Sequence, residues 1–599
     1  MTRYADDLMN WLKEIGFTHC FMLAGGGSMH LVDAASKVMK CVPVVHEVTA
    51  VIATEYFNDT SQSGEKAFAL VTTGPGLTNT VTGVAGAWLE SRPILILAGQ
   101  VKKADLKSGA IRQRGIQEVD GIAILGPITK RALRILDPIS KSEFQNTVLD
   151  SERERPGPVL IEVCIDASAK PSQEIDPEPL VSLVESDSKE DRNLPLELIK
   201  LIQNSKRPLI LLGGGTSRKS AANFLDGIGV LGVPVACTWA GADRVSSNYP
   251  YYAGRPNTYG MRWANIFQQQ ADLLIAVGTS LGLQQTGYNW QEYLPAGKIV
   301  HVNIDPSELE KGHPKTEISI PMDSSGFLTA FLKLANQYWK KDDFKEWINF
   351  LKVVRQEVPI IEACHNVGST FIDPYKLIHG VSERSKVDDI ITPCSSGGTY
   401  TAFNQTFLNH GNQKITSNKG LASMGYGLAG AIGASIANPT SRVIHFEGDG
   451  GFSQNMQDLA TVKINDLNIK MFLIANEGYA SIRTSQKSYF DGNYVGCDSD
   501  TGLGMAKWDN LIGAFGLEYY HINPSNYFDA EFVSRFDSTG PQVFIVNADP
   551  EQLYLPKVGS RINKDGSMTS APIHDMSPKI SEDLTSQVFK YLPREYWNH

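Results

Sequence analysis

Short apolar runs closed by glycine turns recur along the chain: AFALVTTGPG, PILILAGQ, PLILLGGG, DLLIAVGTS, KIVHVNIDP, SRVIHFEGDG and KMFLIANEG. They are continuous rather than alternating, which predicts strands buried on both faces, and the stretches between them carry a helical period. Strand and helix in that rhythm predict α/β units built on parallel sheets. Two stretches break the rhythm. PSQEIDPEPLVSLVESDSKEDRNLP (Pro171 to Pro195) is rich in Pro, Ser and acids without a period and predicts a linker. A charged helical segment from Trp339 to Gln356 leads to a new start near Pro374. The expected organisation is three α/β units, 1–170, 190–340 and 360–550, with a tail, 551–599, that is either a lid or a flexible end. No short-period repeat is visible.

A length of 599 residues suits about three or four domains. With 42% hydrophobic and 20% charged residues, and no apolar run near the roughly 18 residues of a membrane span, a soluble protein is expected. The start, MTRYADDLMNWLKEIGF, reads as an amphipathic helix without an apolar signal core, so a cytoplasmic location is expected. A net charge of -10 without a basic stripe argues against nucleic acid as the main partner. The seven cysteines are scattered with no CxxC pair, which fits reduced thiols.

The run VIHFEGDGG places Asp449 between Gly448 and Gly450 where a buried strand opens into a loop. A carboxylate there faces a charged ligand or a metal. A hard cation such as Mg²⁺ takes one or two protein oxygens and completes its shell with phosphate and water. One helix and one strand later, KMFLIANEG ends in Asn476, a second hard ligand. The two side chains are expected at the carboxyl ends of neighbouring parallel strands.

GDG followed at this distance by Asn resembles the signature of thiamine diphosphate enzymes, and much of the chain resembles their acetolactate synthase group. The resemblance implies that Asp449, Asn476 and the carbonyl of Gly478 hold the Mg²⁺ that binds the cofactor's diphosphate. The family usually has two Asn in a row, where this chain has Ala475 and Asn476. In VVHEVTAVIATEYF, Glu47 opens a helix, and an acid in a first turn is by default a surface residue that offsets the helix dipole. By the resemblance it is instead the catalytic glutamate that shares a proton with the cofactor's pyrimidine ring, since thiamine diphosphate reacts through a carbanion at C2. TTGPGLTN (Thr72 to Asn79, with Pro75), FMLAGGGSMHLVDAA (with Gly25 and Gly26) and RQRGIQEVD (with Gln117 and Glu118) parallel the family's surrounding loops in order. GLASMGYGLAGAIGA puts Met424 at the apolar wedge beneath the cofactor and the Ala422 carbonyl at the aminopyrimidine. CSSGGTYTAF matches the diphosphate loop more loosely, through Gly397, Gly398 and Thr399. His30, where the family usually has Pro, is either a proton relay or a passive polar residue.

Two further glycine patterns compete for a role. GYGLAG (Gly425 to Gly430) formally fits a dinucleotide fingerprint, but no strand runs into it, so helix packing is expected. LLGGGTSRKSAANFL does follow a strand and open a helix. In the resembled group the middle domain binds FAD there, which implies Gly213, Gly214, Arg255 (GRPNTYGMRWAN) and Asp305 (HVNIDPSELEK) as contacts; otherwise the middle domain is a spacer.

The implied reaction is decarboxylation of a 2-oxo acid, pyruvate by the overall likeness, with the acetyl unit passed to a carbonyl acceptor. Departures stand at the substrate end: Ile116 replaces a Phe, and SIRTSQKSYF, with Ser481, Arg483 and Gln486, replaces a wall that carries Trp. A polar wall suits a hydroxylated acceptor and resembles the flavin-containing branch that acetylates nucleotide-linked ketosugars. There Arg483 either meets an acceptor phosphate or is a helix-surface cation. Acetolactate synthase proper, a simple 2-oxo acid decarboxylase, a flavin or nicotinamide oxidoreductase and a non-catalytic binding protein are the alternatives. The resemblance also implies a homodimer or homotetramer with sites between subunits.

Overall fold

A computed structural model describes residues 2–172 and 194–597, so most of the expected linker lies outside the described residues. The apolar runs form three sheets whose strands are all parallel. The first is built from β1 (Phe17–Met22), β2 (Lys40–Pro43), β3 (Lys66–Val71), β4 (Leu95–Gln100), β5 (Arg131–Ile135) and β6 (Val159–Cys164), in the order β2-β1-β3-β4-β6-β5. The second takes β7 (Pro208–Leu212), β8 (Val235–Cys237), β9 (Leu273–Val277), β10 (Lys298–Asn303) and β11 (Ile318–Pro321), in the order β11-β10-β9-β7-β8. The third takes β12 (Ile390–Pro393), β13 (Lys414–Ile415), β14 (Val443–Gly448), β15 (Ile469–Ala475), β16 (Tyr519–Ile522) and β17 (Gln542–Asn547), in the order β13-β12-β14-β15-β17-β16. The first and third orders are the same path laid down twice.

Continuous apolar strands are what a sheet covered on both faces requires, and every residue of β4, β6 and β7 is buried. Two helices join the outer sheets into one core, which runs from Phe21, Val51 and Val84 to Leu428, Val443 and Leu473. Helix Glu47–Thr60 crosses helix Tyr426–Ala437 at glycines: a Cβ on Gly433 would lie 2.1 Å from the Ala53 carbonyl oxygen, and one on Gly430 would lie 2.4 Å from the Tyr56 ring. The GYGLAG glycines are therefore packing residues, as expected.

The charged segment after Trp339 belongs to the middle core. In helix Lys345–Glu357, Trp347 stacks on Phe267 at 3.9 Å between ring centres. The tail is not a loose end. Ile573, Val588, Phe589 and Leu592 enter the middle core, and Arg262 donates to the carbonyls of Met576 at 3.1 Å and Pro578 at 2.7 Å. Among the described residues no helix is long and apolar enough to cross a membrane, and the seven cysteines are free.

Candidate active site

β14 ends at Gly448, and Asp449 opens the short helix Asp449–Phe452 with its side chain buried. Its Oδ1 accepts from the Gly450 N–H at 2.8 Å, and its Oδ2 from the N–H groups of Asn476 at 3.1 Å and Gly478 at 3.2 Å. Burial pushes the carboxyl up to about 6, against the pull of these N–H donors. Asn476 and Gly478 follow β15, the strand beside β14. The Asn476 Oδ1 lies 3.0 Å from Asp449 Oδ1 and 3.2 Å from the Gly478 carbonyl oxygen, while its Nδ2 donates to Tyr554 Oη at 3.0 Å.

With the amide oxygen turned inward, three acceptor oxygens face one another with no donor between them. Oxygens about 2.1 Å from a shared Mg²⁺ in an octahedron stand about 3 Å apart, which is the spacing found here. The residues fit a hard cation. Turned over, the amide would instead donate to both oxygens, so only a cation makes the three-oxygen face favourable. No group of three His, Cys, Asp or Glu among the described residues offers another metal site.

The neighbouring loops close on this cradle. Helix Gly397–Thr406 follows β12, and a Cβ on Gly448 would meet Thr399 Oγ1 at 3.4 Å. A Cβ on Gly398 would fall 1.9 Å from the Tyr554 ring, and one on Gly450 would fall 2.4 Å from that of Tyr479. Gly397 has Ser481 Oγ 3.9 Å from its own missing Cβ. Tyr554 is the residue the sequence did not point to. It lies in the segment read as tail, and no motif marks it.

Glu47 is the first residue of its helix, 6% exposed, after a cap in which His46 Nδ1 accepts from the Val48 N–H at 3.3 Å. Its Oε2 accepts from Asn79 Nδ2 at 2.9 Å. Asn79 ends the helix Pro75–Thr78, and a Cβ on Gly76 in that turn would lie 3.6 Å from Glu47 Oε1. Gly25 abuts the Thr72 side chain, Gly26 has open space, and Gly74 touches the Gln117 carbonyl. Glu47, Gly25, Gly26, Pro75, Asn79 and the Gln117 backbone therefore gather at the carboxyl ends of β1, β2 and β3. Glu118 is buried and holds its loop by accepting from the N–H groups of Lys107, Arg114 and Gly115 at 2.6, 2.9 and 3.0 Å. Gln117, Ala422 and Glu477 all have left-handed backbone, with φ of 59°, 57° and 63°. Such conformations persist where the surroundings dictate them, and these three stand in the loops carrying the expected site.

Several expectations change. His30 is drawn to Arg3, whose Nη1 is 3.3 Å from its Nδ1, in a cluster with Asp6 and Asp33. Met424 is 42% exposed in the single chain rather than buried. Arg483 is not a surface cation: it is buried, donates to the carbonyls of Asn476 at 3.1 Å and Glu477 at 3.3 Å, and stands 3.7 Å from Asp498. It braces the loop that carries the oxygen cradle. Gln486 brackets Val495 through two hydrogen bonds, leaving Ser481 as the part of the polar wall that faces the Gly397 turn.

In the middle domain the Gly213 and Gly215 N–H groups donate to Val277 and Gly278 carbonyls at 2.9 Å, and Arg244 donates to the Gly214 carbonyl at 3.3 Å. Gly214 packs against Ala240. Asp305 caps the helix Pro306–Glu310 and pairs with Arg155 at 2.7 Å. Arg255 is fully buried, and its guanidinium donates to the carbonyls of Asn404, at 2.9 Å, and Phe407, at the carboxyl end of helix Gly397–Thr406. It joins the middle domain to the third domain. Arg255→Met is expected to cost about 2–4 kcal/mol in chemical unfolding; an unchanged midpoint would remove this role.

Two outer sheets of one topology, one presenting a buried glutamate and the other a cluster of acceptor oxygens that fits a hard cation, with a smaller parallel sheet between them in sequence, define a three-domain α/β architecture. Family comparison agrees. Residues 2–124 match the thiamine pyrophosphate enzyme N-terminal TPP binding domain, 196–331 the central domain and 396–546 the C-terminal TPP binding domain. The chain belongs to the thiamine pyrophosphate enzyme family. It is 30% identical to the acetolactate synthase large subunit of Lactococcus lactis subsp. lactis (strain IL1403) over 93% of this chain and 94% of that protein. It is 28% identical to the acetolactate synthase isozyme 2 large subunit of Escherichia coli (strain K12) over 91% and 96%. The large subunit from Cyanidium caldarium is also 28% identical, over 89% and 91%. The chain is thus a thiamine diphosphate-dependent carboligase of acetolactate synthase-like type.

Proposed function

We propose that this enzyme decarboxylates pyruvate and joins the retained acetyl unit to the carbonyl of a second 2-oxo acid. The observation that carries the reading is the convergence of Asp449, Asn476 and the Gly478 carbonyl, 3.0 and 3.2 Å apart at their closest oxygens, at the ends of β14 and β15. These three hold Mg²⁺, and the turns at Gly397, Gly398, Thr399, Gly448 and Gly450 let the diphosphate come close to backbone. When bound, thiamine diphosphate supplies a nucleophilic carbon and an electron sink.

The chain's own residues do the rest. Glu47 holds a proton at the pyrimidine nitrogen, with Asn79 fixing the carboxyl from the side. The Ala422 carbonyl would accept from the pyrimidine amino group, and Met424 would form the apolar wedge once the cofactor or a second copy of the chain covers it. Gly25, Gly26 and Pro75 shape the turn around Glu47, and Gln117 meets the substrate. His30 serves this scheme least, given its contact with Arg3. A homodimer or homotetramer, each site shared between copies, fits the exposure of Met424.

A nucleotide-linked ketosugar is the second acceptor, supported by the Ser481 hydroxyl beside the Gly397 turn. Arg483, held by the Asn476 and Glu477 carbonyls, would meet an acceptor phosphate only through the rest of its guanidinium. FAD in the middle domain is a further proposal: Asp305 is paired with Arg155, whereas Arg255 Nη1 is buried without a hydrogen-bond partner, and flavin released on denaturation would establish it. The test is NMR of pyruvate labelled at C2 and C3, incubated with the enzyme, thiamine diphosphate and Mg²⁺, with and without a ketosugar nucleotide. Labelled acetolactate from pyruvate alone is the expected result. A labelled two-carbon branch that appears only with the sugar would replace the first acceptor by the second, and acetaldehyde alone would leave a decarboxylase.

A further inference from the structure

The amide of Asn476 has two ways to sit, and Tyr554 touches it in both. With Oδ1 toward Asp449 and Gly478 the side chain completes the oxygen cradle, and its Nδ2 donates to Tyr554 Oη at 3.0 Å. Turned over, Nδ2 donates to Asp449 Oδ1 at 3.0 Å and Gly478 O at 3.2 Å, and Oδ1 accepts from the Tyr554 hydroxyl. A phenol both donates and accepts, so it can follow the amide through either arrangement. Asn476 and Tyr554 are 4% and 7% exposed, so water is a poor substitute partner for either.

We infer that Tyr554 is a positioning residue for the metal site: by taking the Asn476 N–H it turns the carbonyl oxygen toward the cation. The inference rests on the proposed Mg²⁺ site. Without the hydroxyl, the cradle arrangement leaves a buried amide N–H₂ without its acceptor, whereas the overturned arrangement keeps both N–H groups bonded and strands only a carbonyl oxygen. Buried orphan N–H groups are rarer than under-bonded carbonyls, so the loss favours the overturned amide, which closes the site. The Tyr554 ring is held for this task. It lies under Gly398, where a Cβ would come within 1.9 Å, so the residue that sets the metal ligand also spaces the turn expected to hold the diphosphate.

The test is calorimetric titration of Mg²⁺ into protein saturated with thiamine diphosphate, which reads binding rather than turnover. Tyr554→Phe is expected to raise the half-saturating Mg²⁺ concentration by about 10–100-fold, as loss of an outer-shell partner does. Asn476→Asp supplies the control, because a carboxylate has no wrong way round. In that background the same Tyr554→Phe change should shift half-saturation by no more than about twofold. An equal shift in both backgrounds would mean that the hydroxyl acts only through packing under Gly398, and would overturn the inference. So would an unchanged titration in Tyr554→Phe alone. If the wild-type protein takes up no Mg²⁺ with the cofactor, the metal reading itself falls, and this inference falls with it.

Discussion

Glutamine in place of Glu47 is expected to slow solvent exchange of the cofactor's C2 proton by about 10²–10⁴-fold while the cofactor still binds. Glu47 is buried at the start of its helix, and Asn79 Nδ2 holds one of its oxygens at 2.9 Å. Glutamine keeps the length, the helix start and an oxygen for Asn79, so the fold around Gly74 to Asn79 has no reason to move. What it loses is the proton that a carboxyl group can lend and recover. Alanine would be the poorer probe, since it also strips Asn79 of its partner and mixes a structural effect into the rate. Quenched exchange followed by NMR, with bound cofactor measured on the same sample, separates the two. Exchange at the wild-type rate in Glu47→Gln would take Glu47 out of the reaction.

The strands and the cradle were legible in the sequence because both are local. A both-faces-buried strand needs a continuous apolar run, and a metal ligand at its end needs glycine neighbours, so β14 with Gly448-Asp449-Gly450 announces itself. The shared topology of the outer sheets was not legible. The order β2-β1-β3-β4-β6-β5 recurs as β13-β12-β14-β15-β17-β16, yet strand order is set by crossovers, which leave no residue-by-residue period. In this correspondence the turn after β3, with Pro75 and Asn79, matches the turn after β14, with Asp449. One topology thus presents the glutamate's partner in one sheet and the metal ligand in the other.

Long-range polar partners were also hidden. Arg483 looks like a helix-surface cation in ASIRTSQ, and Arg255 like a ligand in GRPNTYG, because sequence shows a charge but not the carbonyls it reaches. Arg483 ends on Asn476 and Glu477, Arg255 on Asn404 and Phe407. Tyr554 was hidden for the same reason. Its target, Asn476, is separated from it in sequence by three α-helices, Ala480–Tyr489, Trp508–Ala514 and Ala530–Asp537, and by strands β16 and β17.

Asp449→Ala is expected to weaken cofactor and Mg²⁺ retention by more than the roughly 10–100-fold that outer-shell changes cost, because it removes a direct ligand. It also strands the N–H groups of Gly450, Asn476 and Gly478, which now end on the carboxylate. Asp449→Asn keeps an acceptor and removes only the charge, so it isolates the electrostatic part. Retention equal to wild type in both variants would place the metal elsewhere. The pH dependence gives a sharper test because its slope depends on the metal. In the metal-free chain burial raises the carboxyl from 3.8 to about 6, so between those values the folded state keeps a proton that the unfolded state has lost. Stability contributed by this group is then complete below the lower value and is lost as pH rises through about 6. A bound cation reverses the order by holding the carboxylate form, so metal binding should weaken about tenfold per pH unit below about 6. Thermal unfolding of wild type minus that of Asp449→Asn, across that window, should therefore slope downward with pH without Mg²⁺ and become flat with saturating Mg²⁺ and thiamine diphosphate, because the carboxyl then binds no proton there in either state. Equal slopes in the two conditions would mean that Asp449 does not meet the cation.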